Sequence, residues 1–431
     1  MSNPATLPIY PAVHTQLATE FRLSQARGFR NLRVANLGCT IAGAAAAQYV
    51  DSAGCYALLQ RVALYDGGTL LDEVLDAHAW LAFQNLRRGA GGRDNGSDWS
   101  MLSPLTLSSR TYALSTDCAT AWRIPARNYY ATNDAATTST GWLHLSAALN
   151  VFAKTPYWDT KAFPNLRIVL EWRTDPSVVF AGTTAAITSL TVLPPVLLAD
   201  RLDDAEVEEL GPVPAVQFTR NVQEKVFGLA PGGTQSVRLM SPGGRTVNRL
   251  LFYQTSAAAA SVIETAFDCL KQDCARMCDY EEFGFSVNGV QALPYSVVDS
   301  DARRQQLTSL AWGDYHISPA GGFTAWSDDA PADVVNVFGG LCAVAQVLDG
   351  IPANPPAAAV AGKAIRGPAA ANQAYGGILI GTRVADLQFQ YGYEADQFRA
   401  GAIVMNFYLE MPCSIAGAGP TNPAGYTFTW L

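Results

Sequence analysis

Hydrophobic and polar residues alternate along several short segments of the chain. Residues 17–23 and 166–172 show this alternation in the first half, and residues 387–391 and 403–410 show it in the second half. A period of two places successive side chains on opposite faces of a β-strand, so each segment is predicted to form a strand with one buried face. Both halves of the chain are therefore predicted to be mainly β.

Helical periodicity is rarer than strand periodicity. The best candidates for helices are Leu70 to Arg88 and Ser261 to Asp279, where apolar residues recur at helical spacing. Connections rich in small and polar residues separate the predicted strands. Connections longer than about 12–15 residues are uncommon in compact domains and usually carry an interaction or surface role. The long connections of this chain are residues 87–100, 128–141, 313–331 and 351–374.

An acidic segment lies near the middle of the chain. Residues 200–210 contain six acidic residues and a single basic one, and Gly211 and Pro212 follow directly. A short acidic helix that ends at Gly-Pro is typical of a connector between domains. The chain is therefore predicted to divide into an N-terminal domain, residues 1–210, with the acidic connector at its end, and a C-terminal domain, residues 211–431.

The two halves share a turn pattern. In the first half a predicted strand runs into Asp66, Gly67 and Gly68, and in the second half another runs into Asn288 and Gly289. Asp-Gly and Asn-Gly supply the positive φ angles that a tight turn out of a strand requires. We therefore predict that these five residues are structural turn residues, and their recurrence indicates an internal duplication.

The composition is that of a folded chain with few surface charges. Of the 431 residues, 49% are hydrophobic and 15% are charged, whereas about 25% are charged in a typical globular protein. A chain of this size and composition buries large cores, which excludes disorder as its dominant state. No apolar stretch approaches the roughly 20 residues that cross a bilayer, and the first residues lack the pattern of a signal peptide. We expect neither a membrane-spanning protein nor a secreted precursor.

The charge balance argues against nucleic acid as a partner. The formal net charge is −8, and the longest clusters of basic residues are the pairs Arg87-Arg88 and Arg303-Arg304. Affinity for nucleic acid comes mostly from phosphates neutralised by Lys and Arg. Sequence-specific binding of nucleic acid is therefore not expected.

Residues with catalytic or metal-binding chemistry form no recognisable motif. The eight cysteines are thinly spread, as expected for thiols in a protein assembled inside a cell. Cys269, Cys274 and Cys278 lack the C-x2-C spacing of zinc sites, and the four histidines lack the spacing that places two on one helix face. No nucleophile elbow, phosphate-binding loop or dinucleotide fingerprint is present. We therefore predict no catalytic, cofactor-binding or metal-binding residue, no cofactor and no enzyme activity.

Several of these segments resemble one family of viral proteins. Residues 59–72, followed by Trp80 and Leu81, are similar to the strand, Gly-Gly turn and Trp-Leu pattern of double jelly-roll major capsid proteins of icosahedral double-stranded DNA viruses. That family includes proteins of the large nucleocytoplasmic viruses and their smaller relatives. Residues 285–289 resemble its Asn-Gly turn, and residues 202–226 resemble the bridge between its two jelly rolls. A late strand of the family is matched only loosely, by residues 381–386.

The resemblance implies a fold, a function and partners. The fold would be all-β, with two consecutive eight-stranded antiparallel jelly-roll β-sandwiches and a few short helices in the connections. The chain would be a major capsid protein, located in the virion and assembled inside the host cell, whose pseudo-hexameric homotrimers tile an icosahedral shell. Its partners would be other copies of itself, penton proteins and minor capsid proteins, and an internal membrane beneath the shell is a further candidate.

Two alternatives remain open from the residues alone. Jelly rolls also occur in lectins and glycoside hydrolases, and carboxylates stand beside Trp at Asp98-Trp99, Glu171-Trp172 and Trp326 to Asp329. A glycosidase needs two carboxyl groups about 5 to 9.5 Å apart, and the alternation places Glu171 on a solvated strand face. The second alternative is a minor capsid or receptor-binding virion protein that uses the long connections as its contact surface.

Overall fold

The structure is a computed structural model. The residues that it describes are 6–24, 26–42, 46–49, 54–78, 80–81, 112–114, 123–125, 129–131, 140–181, 188–211, 216–229, 235–256, 280–292, 297–298, 375–393, 403–416 and 427–431.

The first half consists mainly of β-strands. In chain order they are β1 (Thr6–Ile9), β2 (Val13–His14), β3 (Ala18–Arg22), β4 (Gly28–Ala42), β5 (Ala46–Tyr49), β6 (Leu59–Asp66), β7 (Thr69–Leu75), β8 (Tyr112–Leu114), β9 (Arg123–Pro125), β10 (Tyr129–Ala131), β11 (Thr140–His144), β12 (Trp158–Asp159), β13 (Leu166–Trp172), β14 (Phe180–Ala181), β15 (Ser189–Val192) and β16 (Val196–Leu202). Its helices are a 3-10 helix (Gly54–Leu58), α1 (Leu145–Ala148), α2 (Asn150–Lys154), α3 (Pro176–Val179) and the connector helix α4 (Asp204–Leu210).

The second half continues with strands. They are β17 (Val216–Leu229), β18 (Gln235–Leu239), β19 (Arg245–Ser256), β20 (Tyr280–Val287), β21 (Val290–Gln291), β22 (Val297–Val298), β23 (Tyr375–Val384), β24 (Leu387–Tyr393), β25 (Ile403–Ala416) and β26 (Thr427–Trp430).

Eight principal strands of the first half form two antiparallel sheets. In chain order these strands are β1, β3, β4, β6, β7, β11, β13 and β16, and the sheets have the orders β1-β16-β4-β11 and β3-β13-β6-β7. The first strand thus pairs with the eighth, the second with the seventh, the third with the sixth and the fourth with the fifth. Such pairing is that of one long hairpin rolled up on itself, which is the connectivity of a jelly roll.

The second half repeats this connectivity strand for strand. Its eight principal strands are β17 to β21 and β23 to β25, in sheets of order β17-β25-β19-β23 and β18-β24-β20-β21. First and eighth, second and seventh, third and sixth, and fourth and fifth strands pair again. The predicted all-β fold of two consecutive eight-stranded jelly rolls is confirmed, and each half is called a sandwich below.

The core of each sandwich lies between its two sheets. On β13 the buried residues alternate from Leu166 to Trp172, as the sequence predicted. In the second sandwich Phe389 is fully buried, and its ring centroid lies 5.1 to 5.7 Å from those of Phe252, Phe285 and Phe407. The period-two segments therefore supply the apolar faces that hold the sheets together.

Two of the alternating segments differ from the prediction. Leu17 is 71% exposed because β3 begins only at Ala18. On β25, Asn406 and Glu410 were predicted to face solvent, but both are buried. Tyr408, which lies between them on the same face, packs against a residue of the first sandwich, so the outer face of β25 is an internal contact.

The helix predicted for Leu70 to Arg88 is wrong over its first part. Thr69–Leu75 forms strand β7, and within the described residues only 77–78 and 80–81 are helical. The Asp-Gly-Gly turn returns the chain antiparallel to β6, and pairing with β6 outweighs the local helical spacing. The other predicted helix, Ser261 to Asp279, lies outside the described residues, as do the connections 87–100, 313–331 and 351–374 and most of 128–141.

Most of the long connections leave from one end of each sandwich; residues 145–165, which contain α1 and α2, leave from the other. In the antiparallel register of the sheets, the ends of β4, β7 and β13 lie at the same end as the starts of β6, β11 and β16. We call this the loop end and the opposite one the turn end. The second sandwich has the same arrangement. At the loop end of the first sandwich, β4, β7 and β13 end at residues 42, 75 and 172, and β6, β11 and β16 begin at 59, 140 and 196. At the loop end of the second, β19, β21 and β24 end at 256, 291 and 393, and β20, β23 and β25 begin at 280, 375 and 403.

The connector helix α4 is fixed to the turn end of the first sandwich. Asp203 and Glu206 form a capping box at its N-terminus, with distances of 2.8 and 3.0 Å. Val207 is buried against Leu202 and Tyr157. Gly28, at the start of β4, leaves room for this contact, because a Cβ atom there would lie 2.8 Å from Val207 Cγ2.

We expect Gly28→Val to displace the connector helix. The added side chain overpacks the contact with Val207, which typically costs about 1–3 kcal/mol. Hydrogen exchange in residues 204–210 should therefore accelerate, and the midpoint of urea unfolding should fall. The matched control is Gly68→Ala, where a Cβ atom would meet nothing within 4 Å. Equal effects of the two substitutions would contradict the role of Gly28.

Candidate functional site

The predicted turn residues Asp66, Gly67 and Gly68 form the turn between β6 and β7. Asp66 ends β6, and Gly67 has a φ of 56°. The Asp66 carboxylate accepts a hydrogen bond of 2.8 Å from the backbone N–H of Asn165, and the N–H of Gly67 donates to the Asn165 carbonyl at 3.1 Å. Burial raises the pKa of Asp66. Gly68 completes the turn, which is thereby tied to the chain just before β13.

The second set forms the turn between β20 and β21. Asn288 and Gly289 have φ angles of 52° and 78°. The Asn288 side chain accepts from the N–H groups of Ala385 and Asp386 at 2.8 and 3.1 Å and donates to the Arg383 carbonyl at 2.8 Å. Both turns thus join the fourth and fifth strands and bind the chain just before the seventh. They lie in different sandwiches and do not form one site.

We expect Asn288→Ala to destabilise the second sandwich by about 1–3 kcal/mol. The substitution removes three side-chain hydrogen bonds and places alanine in the left-handed region that asparagine tolerates better. Asn288→Gly is the matched control, because it keeps the backbone conformation and loses only the hydrogen bonds. The free energy of unfolding, measured in urea, should rank wild type above both variants. An alanine variant as stable as wild type would contradict this account.

A second candidate site is the contact between the two sandwiches, which sequence reasoning missed. We call it the seam. It joins β7, residues 76–78, residue 80 and α2 of the first sandwich to β17 and β25 of the second. Its apolar part contains Trp80, whose ring centroid lies 5.2 Å from that of Tyr408. Phe218, Cys413 and Ile415 of the second half belong to the buried core of the first.

The polar part of the seam contains an ion-pair network. The Glu73 carboxylate accepts from Arg61 of its own sandwich at 2.8 Å and from Arg220 of the second sandwich at 2.7 Å. Arg61 donates also to Glu171 at 2.7 Å, so this carboxylate, one of three sites that the glycosidase alternative offers, is already paired. Removal of one partner from such a half-buried pair leaves a charge without compensation.

Asp76 forms a second link across the seam. Its carboxylate pairs with Lys225 and accepts a hydrogen bond of 2.7 Å from Gln223, both on β17. Burial opposes ionisation of Asp76, but His78 and Lys225 together hold its pKa below the usual value. His78 is itself buried, and this burial, with Arg173 nearby, lowers its pKa well below the usual value.

Asp72 is the most buried acid of the seam, with 2% of its surface exposed. Its two oxygens accept from the backbone N–H groups of Val151 on α2, at 3.2 Å, and of Glu73, at 2.9 Å. Burial raises its pKa to about 7, because no cation bonds directly to it among the described residues. The adjacent Asn150 donates to the Thr219 carbonyl at 2.7 Å, which also ties α2 to β17.

The seam fixes the relative direction of the two sandwiches. Glu73 contacts Arg220, and Asp76, further along β7, contacts Gln223 and Lys225, further along β17. Both strands run from the turn end to the loop end of their own sandwich. The two sandwiches therefore stand side by side with their loop ends on the same side of the molecule.

The C-terminal strand reinforces the seam. β26 pairs with the last residues of β25, and Trp430 packs against the cores of both sandwiches. The guanidinium groups of Arg245 and Arg220 lie 4.6 and 5.6 Å from its ring centroid. Such cation–π contacts add to the apolar burial of the indole.

Other chemistry is sparse in the part of the chain that the structure describes. Within these ranges, no group of three or more His, Cys, Asp or Glu residues could hold a metal ion. None of the described helices is long and apolar enough to span a bilayer. Cys269, Cys274, Cys278, His316, Asp98 and Trp326 to Asp329 lie outside the described residues.

Comparison with solved structures identifies the fold over both sandwiches. The chain is similar to the mavirus major capsid protein at 9% identity and a TM-score of 0.52, with 99% of this chain and 90% of that chain covered. It is similar to VP54 of PBCV-1 at 11% identity and a TM-score of 0.52, with 100% and 98% covered. The chain has the double jelly-roll fold of these capsid proteins. The Sputnik virophage structure is also similar, at 10% identity and a TM-score of 0.50, with 100% of this chain and 88% of that chain covered.

The similarity to individual known proteins is found through structure. No family model and no curated protein matches the sequence. The identity to these proteins is only 9 to 11%, so the similarity lies in the fold. The side-chain contacts of the seam are described for this chain alone.

Proposed function

We propose that this chain is a major capsid protein, the subunit that tiles the shell of an icosahedral virion. The observation that carries the proposal is the parallel arrangement of two jelly rolls, joined by an extensive seam, with most of the long connections starting and ending at the loop end. Such a molecule consists of two rigid sandwiches side by side, and its loop end differs from its turn end in the length of the connections. That shape suits a shell with distinct outer and inner surfaces.

The proposal includes a homotrimer. Three copies contain six sandwiches, so a trimer can occupy a lattice position that is surrounded by six neighbours. Most soluble homo-oligomers have closed symmetry, which is consistent with a three-fold ring. The chain divides near residue 211, where α4 ends at a glycine with a φ of 77°. Penton and minor capsid proteins would complete the shell at positions that the trimer does not fill.

The low charge of the chain supports broad lateral contacts. Only 15% of its residues are charged, and charged residues are depleted from the cores of protein interfaces. Contacts of this kind depend little on screening, so the trimer should persist at about 1 M salt, where the Debye length is about 3 Å. A carbohydrate-processing function has no comparable support among the described residues.

Sedimentation velocity of the purified full chain tests the proposal. We expect one species with three times the chain mass of 46.0 kDa, unchanged between low salt and about 1 M salt. A stable, compact monomer at micromolar concentration and neutral pH would overturn the proposal. If the trimer dissociates in about 1 M salt, the proposed capsid function stands, but the proposal that its contacts are mainly apolar is wrong.

A further inference from the structure

The last described segment of the chain, residues 427–431, lies beside the part of β25 that β19 does not reach, and we call it the latch. β19 pairs with β25 over residues 403–410, whereas β26 pairs with β25 over residues 413–416. The backbone N–H of Leu431 donates to the Pro412 carbonyl at 3.0 Å, which extends the pairing by one residue. The end of β25 is therefore a short strand edge that the latch covers.

The two aromatic side chains of the latch face the first sandwich. Phe428 lies opposite Ile415 of β25, and Trp430 lies opposite Cys413. Directly opposite residues of an antiparallel pair lie on the same face. Ile415 and Cys413 belong to the buried core of the first sandwich, and both aromatic rings pack against that core. Thr429, which lies between the rings, is exposed.

Two arginines complete the surface on which the latch lies. The guanidinium of Arg245, at the start of β19, and that of Arg220 on β17 both lie within cation–π distance of the Trp430 ring. When an extended peptide adds to a strand edge, backbone hydrogen bonds supply affinity and pockets for alternate side chains supply selectivity. The edge of β25 and these two arginines, which we call the latch groove, therefore fit an extended segment with aromatic residues at alternate positions.

The latch is separable from the two sandwiches. The eight principal strands of the second sandwich are complete without β26, which pairs only with β25 among the described residues. Residues 428–431 are partly buried or exposed, whereas Cys413 and Ile415 below them are buried. Segments with few buried contacts open at a lower free energy than the core. Opening of the latch thus leaves both jelly rolls intact.

We propose that the latch opens as a unit, and that the latch groove is a binding site for an extended peptide with aromatic residues at alternate positions. In the closed molecule the occupant is the chain's own segment 427–431. Arg220 also binds Glu73 across the seam at 2.7 Å, so opening removes the ring that lies against one member of this ion pair and loosens the seam there. The latch is a property of a single chain and does not depend on the proposed trimer.

A fluorescently labelled peptide with the sequence of residues 427–431 tests the proposal. The full-length variant Phe428→Ala with Trp430→Ala lacks both rings of the latch, so its groove is open in a larger fraction of molecules. Apparent affinity rises with the open fraction, and fluorescence anisotropy should show the peptide binding this variant at least about tenfold more tightly than wild type. The matched control is a peptide with alanine in place of both aromatic residues, which should not bind.

Three results would overturn the proposal while the capsid proposal stands. They are no binding of the peptide to the folded variant, equal affinity for the variant and wild type, and equal binding of the two peptides. Circular dichroism checks that the variant is folded.

A chain whose latch can be locked provides the second test if that variant misfolds. Ser414 lies opposite Thr429, and the Cα atoms of opposite residues in an antiparallel pair are about 4.5–5.5 Å apart, within the range of a disulfide. In the full-length variant Ser414→Cys with Thr429→Cys, oxidation should slow hydrogen exchange of residues 427–431 at least about tenfold relative to the reduced form. Equal exchange in the two forms would show that the latch does not open separately.

Discussion

Trp80→Ala is expected to uncouple the two sandwiches. Trp80 is 1% exposed and packs on Tyr408 across the seam, and loss of a buried tryptophan side chain costs about 3–5 kcal/mol. Because the indole belongs to the contact between sandwiches, we expect urea unfolding to change from one transition to two. Circular dichroism and hydrogen exchange of peptides from β13 and β24 would follow the sandwiches separately.

The matched control is Trp158→Ala. Trp158 is 2% exposed and packs against Phe152 and Phe163 within the first sandwich. Its loss should cost a similar free energy but destabilise the first sandwich without separating the two transitions. A Trp80 variant that unfolds in one transition, shifted no differently from that of the Trp158 variant, would contradict the role of Trp80 in the seam.

Asp72→Asn is expected to stabilise the chain at alkaline pH. In the folded chain the pKa of Asp72 is about 7, against an ordinary value of 3.8. The folded state therefore holds this proton more tightly than the unfolded state, so the stability that Asp72 contributes is present below about pH 4 and is lost as the pH rises to about 7. The asparagine variant cannot ionise and should be about 2–4 kcal/mol more stable than wild type at pH 8.

The difference between Asp72→Asn and wild type should shrink as the pH falls toward 4. Asparagine keeps only one acceptor oxygen, so it satisfies one of the two backbone N–H groups that Asp72 satisfies. Urea unfolding at pH 4.5, 6 and 8 measures the profile, with Asp386→Asn, at a turn-end residue of the second sandwich, as the control. A variant that is less stable than wild type at pH 8 would refute the raised pKa.

Local patterns in the sequence predicted the strands and the turns, and the resemblance to a capsid family implied the double jelly roll. The alternation from Leu166 to Trp172 appears in the structure as the alternating burial of β13. The Asp-Gly and Asn-Gly turns join equivalent strands of the two sandwiches. Both signals are local, because each depends on residues within about one strand length of each other.

The seam could not be predicted from the sequence, because its pairs are distant along the chain. Nothing near Glu73 indicates Arg220, and nothing near Trp80 indicates Tyr408. The one available signal was misread: polar Asn406 and Glu410 were assigned to solvent, although they lie on a strand with both faces buried. Periodicity detects which residues share a face, but it cannot tell what covers that face.

The helix predicted at Leu70 failed for a related reason. The apolar residues of β7 recur at helical spacing, but β7 is a strand. A strand that contacts another part of the protein on its outer face can carry apolar residues on both faces, so its pattern no longer alternates. Val74 and Asp72 are both buried, and their partners on β6, Val62 and Leu64, are core residues. The turn at Gly67 was the better predictor, because its geometry commits the following residues to pair with β6.

Images of the purified full chain by negative-stain or cryo-electron microscopy test the central claim most directly. Two-dimensional averages viewed along the strands should show a closed ring of six lobes with three-fold symmetry, each lobe being one sandwich. The side view should show the connections from β7 to β11 and from β21 to β23 on one surface only. Two-lobed single molecules, or rings whose lobes alternate in direction, would contradict the proposed capsid subunit.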